Sequence, residues 1–454
     1  MLDNVTRLDG ERACHAPAGL PQGPPLSPTE TTFQWLARPY ALLDECAAAL
    51  GETFTLQFTR FGTHVVVAHP DDVRDVLTGD RHMFHAGPAN ALLAPVLGKH
   101  SLLLADGDRH MEQRALLQPI FRSDRIQNYA NVVAQTTARR TAAWNGGHHV
   151  NVQSTALDIS KEIILRVVLG LTDADIDHYS RLIHNVMSLV GTNATFHERP
   201  DEARPSQLME RFRAARGALN DALQAHIDRR RTQANGNDVL SMLMAAETAP
   251  GNQMPDEEIR DQLVTMLLAG HETTASSITW ALLCVHAQPE ALAALLRELH
   301  DAGAELPAAR LAALPYLEAV CLETLRLRPV IPVVSRQLQR PFRLRQWTLP
   351  AGVFVTPSPY LAHRRPAEFP EPDIFRSDRF LARRFSPYVY FPFGGGAHRC
   401  IGMSFALLEL QIVLGTLMRT FRFALDGPVR PVRRAVTIVP SGGGRIYVER
   451  RAVA

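Results

Sequence analysis

One segment restricts the folds open to this chain more than the rest. Pro255 is followed by Asp256, Glu257 and Glu258, acids that complement the positive end of a helix dipole, and a helical pattern continues to about Gln288. At ~1.5 Å per residue this helix is ~50 Å long. Its middle, Leu263 to Leu268, is apolar nearly all round, so it has to cross a core with other elements packed about it. Further helical patterns are expected near 108–121, 127–145, 154–169, 175–190, 206–232, 315–328 and 402–421. The runs Thr53–Phe58 and His64–Ala68 predict a hairpin around Arg60–Thr63, with a helix after it over Asp71–Leu77. Residues 330–356, Val436–Val439 and Arg445–Val448 read as short strands, and 82–100 and 357–396 as irregular. With no repeat and no flexible linker, the expectation is a mainly α chain. It is one large domain over 31–454 behind an extended lead-in over 1–30.

Composition narrows the function. A chain of 454 residues, 46% hydrophobic, can enclose a large cofactor. A formal net charge of +2 makes no case for nucleic acid. The five cysteines are scattered, odd in number and without a CxxC pair, which argues against a disulfide framework or structural zinc. Cys284 and Cys321 lie in apolar helical runs and read as buried thiols. No signal pattern opens the chain, and no run approaches the ~18 to 20 apolar residues of a membrane span. A cytoplasmic protein is expected.

Cys400 stands apart. The run Phe393-Gly394-Gly395-Gly396-Ala397-His398-Arg399-Cys400-Ile401-Gly402 delivers a cysteine to the start of the last strong helix. A helix N-terminus lowers a thiol pKa and offers amides to the sulfur. Gly396 and Gly402 would let a flat macrocycle approach closely, and Phe393 could pack against it. A buried cap cysteine or a nucleophile of a cysteine hydrolase fits the loop equally well.

The spacing Phe-x-x-Gly-x-x-x-Cys-x-Gly resembles the haem-ligand loop of the cytochrome P-450 family. That resemblance, which runs from about Thr53 to Val448, implies a triangular helix-rich prism with small β-sheets. Haem b lies between the long central helix and the cysteine-loop helix, and Cys400 is the axial iron ligand. It also gives meaning to three further constellations. Glu323 and Arg326 share a face among Val320, Leu322 and Leu325, and with Arg379 are expected to support the haem loop. Arg379 stands in Ser-Asp-Arg-Phe, a departure from the family's Pro-Glu-Arg-Phe. Ala269-Gly270-His271-Glu272-Thr273-Thr274 is similar to the family's acid–threonine segment, where Glu272 and Thr273 would relay protons to dioxygen. The plainer reading has Thr273 bonding back to a carbonyl four residues earlier. His110, Arg114, Arg336 and His398 fall where the family contacts the haem propionates.

The resemblance implies monooxygenase chemistry, hydroxylation or epoxidation, with dioxygen as co-substrate. Electrons would come from NAD(P)H through a ferredoxin or flavodoxin and its reductase, since the stretch after Cys400 is too short for a fused reductase. The expected pocket is apolar. Leu92, Leu93 and Val96 come from the early loop, and Met187 and Val190 from the helix before 193–205. Met266 and Ala269 come from the long helix; Val330, Ile331, Val333 and Val334 follow Pro329; Ile438 and Val439 lie in the tail. Such a pocket favours a lipophilic substrate such as a fatty acid, terpenoid or polyketide, as in bacterial secondary metabolism. A monomer is expected. A haem-thiolate isomerase or peroxygenase, and a non-catalytic haem sensor, remain as alternatives.

Overall fold

A computed structural model describes residues 17–451 apart from 18, 122–128, 145, 191–206, 234–235, 237, 250 and 304. The long helix runs Asp256–His286, with its three acids in the first turn, and is buried almost continuously from Asp261 to Val285. Helix Val152–Leu169 crosses it closely enough that a Cβ on Gly270 would stand 3.0 Å from the Ile164 side chain. The main core also takes in helix Pro315–Leu327 and the last helix, Met403–Thr420. Met403–Thr420 is apolar and long enough to cross a membrane. Most of it is buried inside the protein, which accounts for that apolarity.

The second structural unit is a five-stranded sheet in the order Thr53–Phe58, Gly62–Val67, Phe354–Pro357, Arg336–Leu338, Phe84–His85. Phe354–Pro357 runs parallel to Gly62–Val67, and the other pairs are antiparallel. Arg336 lies opposite Val355 in this sheet. Near the C-terminus, Pro431–Arg434 and Thr437–Pro440 form a hairpin whose turn holds Ala435 at φ +51°.

Several expectations need correction. Helices occupy Pro28–Ala37 and Pro39–Leu50, so helix begins at residue 28, inside the stretch expected to be extended to 30. The first is set by a reciprocal capping box between Ser27 and Glu30 with Pro28 behind it. Within the stretch expected to be irregular lie helical turns at Gly87–Asn90, Ala91–Leu93 and Ala94–Leu97. The connection 193–205 lies outside the described residues.

Candidate active site: a cysteine loop facing the long helix

The cysteine loop closes on itself. The Cys400 amide donates to the Phe393 carbonyl at 2.9 Å, Arg399 to Gly396 at 3.1 Å and Gly394 to Phe391 at 2.9 Å. Gly394 and Gly396 adopt φ +66° and +65°, where L side chains are strained. Gly396 has a further reason. A Cβ there would lie 1.7 Å from the carbonyl oxygen of Leu77, the last residue of helix Pro70–Leu77. Gly396 is thus required by the protein backbone itself, and among the described residues a Cβ on Gly402 would meet Phe121 at 3.9 Å.

Cys400 is surrounded by protein yet opens onto accessible space. Burial pushes its thiol pKa up, against the Gly402 amide that donates to the sulfur and the positive charges of Arg114 and Arg399. The sequence argument for a lowered pKa named a real contribution, but desolvation outweighs it.

Space also opens beside the long helix. Ala269 is exposed and Gly270 and Thr273 are partly exposed, between buried runs on either side. An accessible alanine at the centre of a core helix marks a hollow at that level. The Thr273 hydroxyl donates to the Ala269 carbonyl at 2.8 Å, and Thr274 donates to Gly270 at 2.9 Å, the back-bonding geometry anticipated from sequence. Glu272 points the other way, into a buried setting that raises its pKa. Its ion partner is Arg434, Nε to Oε1 at 3.4 Å, whose own side chain is about half exposed. His271 Nδ1 donates to the Leu267 carbonyl at 2.7 Å, and the ring belongs to the helix interior.

A cationic, donor-rich cluster lies at the edge of the sheet. His110 and His398 stack with ring centroids 3.8 Å apart. Burial first, then Arg114 and Arg336, hold His110 down at about 4; burial, then Arg336, hold His398 at about 2, so both rings are neutral as they stand. Arg336 is buried and opposed by Asp106 alone. Asp106 in turn accepts the amides of Ala86 and Gly87. Among the described residues Arg114 has no hydrogen bond or ion pair with a carboxylate; its charge is felt by Cys400.

Behind the loop, Glu323 and Arg326 are wholly buried and joined by two bonds, 2.7 and 2.9 Å. Arg379 stands 3.5 Å from the same carboxylate, and the Arg376 amide donates to it at 2.7 Å. Arg326 also donates to the His363 carbonyl at 2.8 Å. The His363 ring accepts from the Phe391 amide at 2.9 Å, and the Phe391 carbonyl takes Gly394. A continuous chain of hydrogen bonds thus connects the ion pair to the cysteine loop.

The expected pocket residues are not all brought together. Val96, Val190 and Met266 belong to the main core, with Leu93 and Met187 packed on it. Val334 packs on the sheet's core, and Ile438, almost fully buried, joins a third cluster with Val333. Ile438 is bonded on both sides through its backbone, its amide donating to the Val330 carbonyl and its carbonyl accepting from the Trp280 ring. Leu92 is exposed at the surface, and Val330 and Val439 are buried. Sequence reasoning missed the residues that fix the early loop. Asp261 accepts the His100 amide at 3.0 Å, Gln262 the Leu102 amide at 3.2 Å, and Thr265 bonds Ser101 at 2.8 Å. Their signal was there: a line of polar side chains on a helix otherwise apolar all round.

Comparison with known proteins settles the family. The sequence model of the cytochrome P450 family matches residues 21–442. The chain belongs to the cytochrome P450 family. Putative cytochrome P450 135B1 of Mycobacterium bovis is 35% identical over 435 residues, which are 95% of this chain and 91% of that protein. Putative cytochrome P450 135A1 of Mycobacterium tuberculosis is 31% identical over 448 residues, 95% and 96% of the two chains. The solved structure of cyanobacterial CYP120A1 with retinoic acid bound superposes with a TM-score of 0.81 at 22% identity, covering 92% of this chain and 97% of that one. The fold is therefore the P450 fold, and the chain is a haem-thiolate monooxygenase.

Proposed function

We propose that this P450 inserts one oxygen atom into a lipophilic small molecule, with Cys400 as the axial sulfur and electrons from a separate carrier. The residues present fit haem. A thiol opens onto accessible space, accessible space also opens beside the long helix, and an under-neutralised cluster of Arg114, Arg336, His110 and His398 suits two propionates. A thiolate-ligated haem supplies the electron-rich iron at which dioxygen is activated and its O–O bond cleaved.

The chain's own part is to hold charge and move protons. Cys400 would hold the iron as a thiolate, a form that the Gly402 amide and the charge of Arg114 favour. Glu272, its pKa raised by burial, can exchange a proton nearer neutral pH, and its contact with half-exposed Arg434 links it to the surface. Thr273 presents a hydroxyl on the accessible side of the same turn. This acid–threonine arrangement favours an oxygenase over a haem-thiolate isomerase. The lipophilic substrate is supported by the apolar walls described above and, at the level of fold, by the retinoic acid in CYP120A1. A ferredoxin or flavodoxin fits the exposed Arg383, Arg384 and Arg399 near the cysteine loop.

The observation that carries the reading is the buried but accessible Cys400. Cys400→Ser is expected to lose the red-shifted Soret band of the ferrous–CO complex. If the band persists, another residue is the ligand.

A further inference from the structure

Asp106 occupies the N-cap of helix Gly107–Leu117, the helix that carries His110 and Arg114. An aspartate at this position ordinarily bonds the free amides of its own first turn. Asp106 does not: its side chain makes no capping bond and serves another part of the chain. Oδ1 accepts the Ala86 amide at 2.7 Å, and both oxygens stand 3.1 Å from the Gly87 amide. The fit leaves no room for a side chain at residue 87. A Cβ there would lie 2.5 Å from Asp106 Oδ2 and 2.4 Å from the Leu104 carbonyl oxygen.

The same carboxylate faces the cationic, donor-rich cluster. His398 Nε2 stands 3.8 Å from Oδ1, and His85 Nδ1 3.8 Å from Oδ2, too far for hydrogen bonds but within the reach of charge. Asp106 is also the anion whose charge acts on buried Arg336. His85 and Arg336 lie on paired strands, Phe84–His85 and Arg336–Leu338. The Asp106 side chain is only 15% exposed, so water screens its charge weakly.

Four parts of the chain therefore meet at one carboxylate: the stretch that starts at Ala86, the helix of His110 and Arg114, the strand of Arg336, and the cysteine loop through His398. A neutral acceptor such as asparagine could still take the two amides. What an acid adds is a negative charge inside a cluster of cations and ring nitrogens.

We propose that Asp106 is a positioning residue for the cofactor, whose charge holds Arg336 in place beside His398 and the start of the early loop and lowers the potential of the iron from the propionate side. Ferric iron carries one positive charge more than ferrous iron, so a weakly screened anion in this cluster favours the ferric state. This assignment rests on the haem-thiolate reading and adds to it a residue that tunes how readily the iron accepts an electron.

The test is the iron's midpoint potential in the haem-loaded protein, from a dye-coupled reductive titration, with haem content and the ferrous–CO band read on the same samples. Asp106→Asn keeps an oxygen for the two amides and removes the charge. It should raise the ferrous-to-ferric ratio at a fixed potential about 10-fold, a positive shift of about 59 mV for one electron. Asp106→Glu, which keeps the charge, should stay near the parent. Asp108→Asn is the control: Asp108 is 64% exposed and paired with Arg81, so water screens its charge and the potential should hardly move. If Asp106→Asn keeps or lowers the parent's potential, or if Asp108→Asn raises it equally, Asp106 only tethers the loop and the proposal falls. Should Asp106→Asn fail to hold haem, Asp106→Glu decides. Haem retained in the glutamate variant upholds the need for charge, and haem lost in both overturns it. A wild type without the thiolate-type ferrous–CO band sinks the haem reading itself, and the proposal with it.

Discussion

Replacing Arg326 with alanine removes a buried side chain that makes five hydrogen bonds. Its guanidinium donates to both oxygens of Glu323 at 2.7 and 2.9 Å. It also donates to three carbonyls, those of His363 at 2.8 Å, Pro372 at 2.7 Å and Ile374 at 3.2 Å. Neither member of the pair has any solvent exposure. Losing one partner of a buried pair destabilises by ~3 to 5 kcal/mol, because the other charge is stranded. The three carbonyls left without a donor add to that figure. Domains are stable by ~5 to 15 kcal/mol, so most of the margin goes. The assay is urea unfolding followed by far-ultraviolet circular dichroism, with haem content from the Soret band. Arg326→Lys should fare little better, since an ammonium cannot fork between two oxygens and three carbonyls. The double change Glu323→Leu with Arg326→Met should be milder than either charge removal alone, because both charges of the pair leave together and only Arg379 loses a carboxylate. By contrast Glu45→Ala, which breaks an exposed pair with Arg38, should stay within ~1 kcal/mol of the parent. An Arg326→Ala protein with the parent's midpoint and haem content would refute the reasoning.

Three more outcomes are expected. Thr273→Ala should bind substrate and accept electrons yet release hydrogen peroxide, with product per nicotinamide down by ~100-fold or more; Thr273→Ser should recover much of the coupling, and equal damage in both would favour a purely helix-shaping hydroxyl. Glu409 is buried in the last helix and held at about 8 by burial, despite a bond from the Ser160 hydroxyl at 2.5 Å. The folded state keeps a proton that the unfolded chain loses above roughly 4.3, so this contribution is complete below that value and lost as pH rises through about 8; Glu409→Gln should flatten the stability profile over that window, and an unaltered slope would contradict it. Reversing Arg383 and Arg384 together should slow reduction by an acidic carrier and remove its salt dependence, measured by stopped flow across ionic strength; an unchanged dependence would dismiss that face.

The residues that spoke clearly in the sequence were those whose neighbours are close along the chain. The cysteine loop was legible because fixed positions within ten residues impose its backbone. Glu323 and Arg326 were legible because one helical turn places them together in an apolar setting. The capping box at Ser27 and Glu30 was equally local, and its Pro-rich surroundings hid it. For the pocket, character was legible and placement was not. Ile438 and Val334 have the right character, but their fate depends on which of three clusters receives them, and hydrophobicity does not encode that. Arg434 carried no signal, because its meaning lies in a partner distant in sequence, Glu272.

The contact between Gly396 and the Leu77 carbonyl has a consequence for how the protein matures. The two residues lie far apart along the chain, so the sulfur's final position is defined only after the early helix Pro70–Leu77 and the late loop have docked. Pairings this distant form late in folding. During synthesis the early helix end waits for a loop that emerges near the finish, and Cys400 stays unplaced until then. Cofactor capture is therefore coupled to the last long-range closure. A shortage of haem should accumulate chains with a formed sheet and an undocked final segment, open to proteolysis between the two.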